Sequence, residues 1–455
     1  MWDSFFQTSS ESPGAIAYLV AAVIHCVLII HVVAVGALIF IWMERKISGR
    51  IQDRLGPTRV GGAFGWLQTL ADGIKLIAKE DITPKDADAM LFKAAPYVGF
   101  AASYCAYIAL PFSDGWVAQH MNTAVFFILA VLGIEVFSPI LAGYASGSKW
   151  SLFGAMREAA QVVSYEVPLG MCVVVPCMIC GTLNLVTIGN MQAGSFTNWL
   201  AFNDPFTFIV ACVYFTCATA SVNRAPFDLA EAESELVAGF HTEYSGLRWS
   251  FFFMAEYGSM FLVSGLAAIL FFGGWHGPIP IAEPIAGVLS LVVEPLLNFG
   301  RYVVGFVVGD LGQVTEGVVA TQIANLMGCL NFLVKGTIGV TVMMWVRWTL
   351  PRLRIDQVMT TCLKYCVPIA AFGFLGALVW QVNDLPTSND MPVIGKNRFE
   401  VRESWVYQAE KELRTTSGDQ KSSPDDQQPP FDPHQATGST ELVPQGAFVM
   451  KGGAR

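Results

Sequence analysis

Apolar residues in this chain arrive in unbroken runs, and those runs constrain the fold more than any other feature. The first, residues 17–43, holds no Asp, Glu, Lys or Arg. About 20 residues of this kind reach across a bilayer as a helix. Inside lipid every backbone N–H and C=O must be satisfied by the protein, so only helices and closed barrels cross. Barrel strands alternate apolar and polar residues, and these runs do not alternate. The fold class expected is therefore an all-α membrane protein. Further runs at 94–112, 124–144, 159–180, 206–222, 251–275, 324–346 and 362–382 bring the expected count to about eight transmembrane helices. The first run is too long for the core of a signal peptide and has no basic stretch before it, so it is read as a true span. Composition agrees: 53% of residues are hydrophobic and 14% charged, against roughly 25% charged in soluble domains.

Basic residues orient the spans, because loops rich in Lys and Arg stay in the cytoplasm. The loop after the first run carries Arg45, Lys46, Arg50, Arg54, Arg59, Lys75, Lys79, Lys85 and Lys93. Basic residues recur in every second loop: Lys149 and Arg157, then Arg224 and Arg248, then Arg347, Arg352, Arg354 and Lys364. The intervening loops hold only Arg301. This alternation puts the basic loops in the cytoplasm and both ends of the membrane part outside. Residues 281–309 are apolar too, but Glu283, Glu294 and Arg301 are costly in lipid. The expectation is a polytopic membrane domain at 1–382, with an extra outer-side segment at 277–323. A polar tail follows at 383–455.

The formal net charge of −9 argues against nucleic acid as a partner. All ten cysteines lie in or beside apolar runs. Cys177 and Cys180 have the spacing of a metal pair, but a structural zinc or iron–sulfur site needs four ligands, and no second pair completes one. No metal and no redox cofactor is expected in this chain.

Polar chemistry gathers in the basic loops and inside the spans. Glu44-Arg45-Lys46 closes the first run, where snorkelling side chains are common. Across 64–80, Trp66, Leu67, Leu70, Ile74 and Ile77 recur at helical spacing, with Asp72, Lys75, Lys79 and Glu80 on the other face. This predicts an amphipathic helix lying in the cytoplasmic interface. Between the fifth and sixth spans, Asp228, Glu231, Glu233, Glu235 and Glu243 interleave with Phe227, Leu229, Leu236, Phe240 and Tyr244. If 229–238 is helical, Glu231 and Glu235 share a face one turn apart. Crowded, half-buried carboxylates exchange protons near neutral pH. Glu256 follows just beyond, Glu135 and Glu166 fall inside spans, and Lys335 adds a buried cation. Intramembrane ionisable groups point to proton relays.

GPTRVGGAFGWLQTLADGIKLIAKED at 56–81, NRAPFDLAEAESELVAGFHTEYSGLRW at 223–249, FMAEY at 253–257 and MWVRWTLPRLRIDQ at 344–357 closely resemble the H-subunit of NADH:quinone oxidoreductase, the quinone-site membrane subunit of respiratory complex I. The resemblance covers nearly all of 17–382; the segment at 277–323 and the tail depart from it. It implies the membrane part of a quinone chamber at the junction with the peripheral arm. It matches Glu44, Arg45, Arg54, Asp72, Phe227 and Arg347 to quinone-binding positions. Asp228, Glu231, Glu233, Glu235 and Glu243 match an acidic loop below the chamber, and Glu166 and Glu135 the start of a charged axis through the membrane arm. Quinone is then the substrate. Iron–sulfur clusters, FMN and NADH are expected in partner subunits: those of the peripheral quinone module and the small membrane-arm subunits. The location implied is the cell inner membrane. A membrane subunit of an energy-converting hydrogenase, a free-standing ion transporter and a plain membrane anchor are the alternatives; the intact loops at 56–81 and 223–249 favour the quinone enzyme.

Overall fold

The computed structural model describes residues 15–229, 236–278 and 318–383. Among them there is no β-strand, and helices stand at all eight apolar runs. They are α1 (Ala15–Ile51), α3 (Ala89–Ala106), the pair α4 (Ala124–Glu135) and α5 (Phe137–Ala145), α6 (Lys149–Cys180), α8 (Pro205–Ser221), α9 (Gly246–Phe271), α10 (Val318–Thr349), and the series α11 (Ile355–Thr360), a π-helical turn (Thr361–Cys366) and α12 (Val367–Val382). Shorter helices are α2 (Gln68–Ile77) and α7 (Leu185–Met191). Six of these segments are long and apolar enough to cross a membrane; α8 is apolar but shorter. The chain is a multi-pass membrane protein. Residues 281–309, most of the outer segment 277–323 and all but Asn383 of the tail lie outside the described residues.

Local sequence sets the helix ends. Asp88 caps α3 by accepting from the backbone N–H of Met90 and Leu91. Asp204 and Thr207 form a reciprocal capping box around Pro205 at the start of α8, satisfying donors that the first turn leaves open. The left-handed Gly181 (φ 67°) ends α6, a conformation a side chain would resist.

Packing is centred on α9. In its most apolar stretch 78% of the residues are buried, against 17% in α1, so α9 is the core and α1 a peripheral helix. Helix α9 packs on α1, α3 and α10, while α6 packs on α5, α8 and α12. Lipid is as apolar as leucine, so close backbone approach and polar contacts between helices must hold the bundle. A Cβ on Gly265 of α9 would sit 2.8 Å from Phe332 of α10, and one on Gly339 of α10 would sit 2.9 Å from Ser264 of α9. Hydroxyls bridge other seams of α9: Tyr107, just after α3, donates to the Gly258 carbonyl (2.6 Å) and Tyr214 of α8 to the Val263 carbonyl (3.0 Å).

The amphipathic stretch forms α2, shorter than the 64–80 pattern because Phe64–Leu67 are turn residues. It packs on α1 and α9 through its Thr69 side, and turns Trp66, Leu70, Ile74 and Ile77 outward.

Candidate functional site: a buried charge cluster and a carboxylate cavity

Glu44 lies near the end of α1, where the helix runs on past its apolar stretch. Three donors from three other parts of the chain converge on its buried carboxylate. Arg224, in the loop after α8, reaches its two oxygens with Nη1 at 3.4 and 3.3 Å. Arg347, near the end of α10, donates to Oε1 at 2.5 Å. Tyr257 of α9 donates its hydroxyl to Oε2. A buried carboxylate is tolerable only with such company. Arg224 also lies 2.8 Å from Glu256 of α9 and stacks over the Tyr257 ring at 4.4 Å. Burial works against the Arg224 charge, but Glu256, Tyr257 and Glu44 more than offset it and hold its pKa well above the usual range.

A second feature adjoins the first. Glu135, Glu158 and Glu256 line one cavity with Ser259, Asn223, Phe240 and Phe252. The room open to water centres is about 70 Å³, several times the roughly 10–15 Å³ one water needs. The cavity lies at the break between α4 and α5, the kind of interruption tolerated at membrane depth where it lines a cavity. Glu158 accepts from Asn223 Nδ2 at 2.6 Å, and Asn223 Oδ1 accepts from Gln161 at 3.0 Å. Ser259 Oγ lies 2.8 and 2.7 Å from the two Glu135 oxygens and 3.1 Å from Ser103 Oγ. One hydroxyl carries one proton. With Glu135 ionised, Ser259 donates to it; with Glu135 protonated, the carboxyl donates to Ser259, whose own proton turns to Ser103. Ser103 in turn donates to the Ala255 carbonyl at 3.1 Å. The chain of hydroxyls can therefore register the charge state of Glu135.

Three of the residues expected from sequence belong to these two features, and two more stand beside them. Glu44 and Arg347 form the cluster; Arg45 pairs with Asp72 of α2 beside it. Glu135 lines the cavity. Phe227 is buried against the Tyr165 ring at 5.4 Å. Asp228 pairs with Arg352 at 3.1 Å, and the Leu353 N–H donates to the Pro226 carbonyl at 3.1 Å, so two basic-side loops are stitched together. Arg54 stands apart, bonded to Gln52 in an exposed turn. Glu166 is half-buried on α6, with its Oε1 facing Gly133 of α4, and Glu243 is half-buried ahead of α9. One expectation changes: Asp228 and Leu229 are not helical, because the Asp228–Arg352 pair and the Leu353–Pro226 bond hold this stretch as loop. Glu231, Glu233 and Glu235 lie outside the described residues.

Residues 24–378 match the NADH dehydrogenase family. The chain belongs to that family. It is 40% identical over 382 residues to the NADH-quinone oxidoreductase H-subunit of Anaeromyxobacter dehalogenans (strain 2CP-C), covering 83% of this chain and 86% of the relative. It is 41% identical over 345 residues to the H-subunit of Chlorobaculum parvum, covering 75% and 87%. The H-subunit numbered 2 of Cytophaga hutchinsonii is 36% identical over 380 residues, 78% of this chain and 97% of that one.

Arg224, Tyr257, Asn223 and Ser259 were not among the residues expected to form the site. Glu256 sits within an apolar run and Glu158 at the edge of one, which flags them as functional, but nothing in linear order says that they face one cavity. Arg224 reads from sequence as one loop cation among many. No group of three or more His, Cys, Asp or Glu among the described residues is arranged to hold a metal ion.

Proposed function

We propose that this chain is the membrane subunit of a proton-pumping NADH-quinone oxidoreductase of the complex I type, contributing the membrane wall of its quinone chamber. Family membership supports the enzyme class. The single observation supporting the finer reading is the contiguity of a buried charge cluster, bordered by the amphipathic α2, with a cavity of three carboxylates. A quinone with an apolar tail needs a polar end wall and a lipid-facing entrance. Glu44, Arg45, Asp72 and Arg347 supply the polar wall, while the outward apolar face of α2 supplies the entrance. Quinone reduction consumes protons and alters the local charge. Asp228, Glu231, Glu233, Glu235 and Glu243 respond by titrating, and Glu135 and Glu166 carry the change into the membrane arm, as packed groups with two arrangements can. NADH oxidation and the flavin and iron–sulfur chemistry belong to partner subunits, in a cell inner membrane with the basic loops inside.

Affinity purification of the chain from its native membrane tests this. Co-purification of NADH-oxidising and quinone-module subunits, with quinone-dependent NADH oxidation, is the expected result. Hydrogenase subunits in their place favour the energy-converting hydrogenase, and an isolated chain that moves ions in liposomes favours a transporter.

A further inference from the structure

The charge cluster and the carboxylate cavity meet at one guanidinium. Glu44 stands on α1 and Glu256 on α9, and Arg224 lies within 3.3 Å of the first and 2.8 Å of the second. Glu256 also lines the cavity that Glu135 and Glu158 share. The other groups facing Arg224 are Tyr257, from α9, and Arg347, from α10, which reaches it through Glu44. Two carboxylates and two guanidinium groups make the cluster neutral. A change of charge at Glu44 therefore leaves Arg224 and Arg347 in excess, and Glu256 is the other acid that Arg224 reaches.

The hydrogen bonds of Arg224 are not fully committed. A guanidinium offers five N–H groups in a rigid fork. Here Nη1 makes directed bonds to Glu44. Nε faces Glu256 at ion-pair distance, but its N–H is not aligned for a hydrogen bond, and the buried Nη2 has no acceptor among the described residues. Buried donors are almost always satisfied. A fork with Nη1 bonded to one acid and Nε at ion-pair distance from the other is suited to shifting its weight between them.

We propose that Arg224 is a positioning residue that couples Glu44 to the carboxylate cavity, dividing its charge between Glu44 and Glu256. When Glu44 loses its negative charge, Arg224 engages Glu256 more fully and the field across the cavity at Glu135 and Glu158 changes. When Glu44 regains its charge, Arg224 is drawn back. This inference rests on the quinone-chamber reading of Glu44 and names the side chain that passes its charge change onward. A buried ion cluster can also be a pure structural pin, because removing one partner leaves a buried charge alone.

The test uses the assembled complex in native membranes with Arg224→Gln, Arg224→Lys, Glu256→Gln and the Arg224→Gln/Glu256→Gln double variant. Two rates are measured: quinone reduction and proton translocation. In Arg224→Gln, protons moved per quinone reduced should fall at least three-fold. Arg224→Lys keeps the charge and should recover at least half of that ratio. The double variant should be no worse than either single one, because both act through one contact. A ratio that stays at the wild-type value in Arg224→Gln, effects of Arg224 and Glu256 that multiply, or failure of both Arg224 variants to assemble would overturn the proposal and leave Arg224 as a pin. The quinone-chamber reading fails separately, if the wild-type complex shows no quinone-dependent electron transfer.

Discussion

Asp72 and Arg45 show how one ion pair separates stability from function. The pair is half-exposed, with 44% of the Arg45 side chain and 34% of the Asp72 side chain open. Exposed pairs contribute about 0–1 kcal/mol, so Asp72→Ala should leave assembly and NADH oxidation with an artificial acceptor near wild type. Quinone reduction should fall several-fold, because Asp72 holds Arg45 at the end of α1 and also accepts from Gln68 at 3.3 Å. An equal fall in both activities would assign Asp72 to assembly. Glu44 differs in kind: its carboxylate is buried among two guanidinium groups and a phenol, so its removal strands buried cations and must damage structure and function together.

At the scale of an element, the C-terminal end of α9 is closed from the side. Lys335 of α10 donates to the carbonyls of Phe272 (2.6 Å), Gly274 (3.0 Å) and His276 (2.6 Å), and lies over the Trp199 ring at 4.5 Å. A cation at a helix C-terminus satisfies open carbonyls and complements the dipole. That accounts for a charged side chain in the middle of α10. His276 is held beside it: Asn190 donates to Asp114 at 2.6 Å, so its carbonyl oxygen faces His276 Nε2 at 3.3 Å, and the ring proton sits on Nε2. Burial, and then the Lys335 charge, push the His276 pKa down to about 4, against an opposing pull from Asp114. The unfolded imidazole titrates near 6.5, so between these values the unfolded chain binds more protons. The stabilisation is complete above about pH 6.5 and is lost as pH falls towards 4. Acidification from pH 7 to 4.5 should therefore lower the unfolding temperature of the detergent-solubilised complex more in wild type than in His276→Gln. Identical slopes in the two would remove His276 as the cause.

At the scale of the whole molecule, the basic residues give each loop its side. Arg224, Arg347, Arg352 and Arg45 meet around Glu44 and Asp228 or border that region, and all belong to loops assigned to the cytoplasm by their basic residues. Three loops distant in sequence gathering at one end of the bundle are what that topology requires. A cysteine introduced at Ser422 should then react with a membrane-impermeant reagent in intact cells, and one introduced at Lys85 should react only after permeabilisation. Protection of both would reverse the tail and discard the odd–even loop assignment.

Sequence alone determined the class of fold, since continuous apolar runs leave a membrane chain only the helix. It also pointed to Glu44 and Glu135, because an ionisable group inside or at the edge of an apolar run is costly to place there. Only the tertiary structure decided which of these groups share a site. Whether Arg224 faces solvent, Glu44 or Glu256 depends on how α1, α9 and α10 cross, and the crossings are set by close contacts such as Gly265 against Phe332. The same holds for Asp228: its pairing with Arg352, 124 residues away, overrides any local tendency to continue a helix. Local physics acts over one or two turns, whereas the charge cluster joins residues up to 303 positions apart; only the packed bundle holds them together.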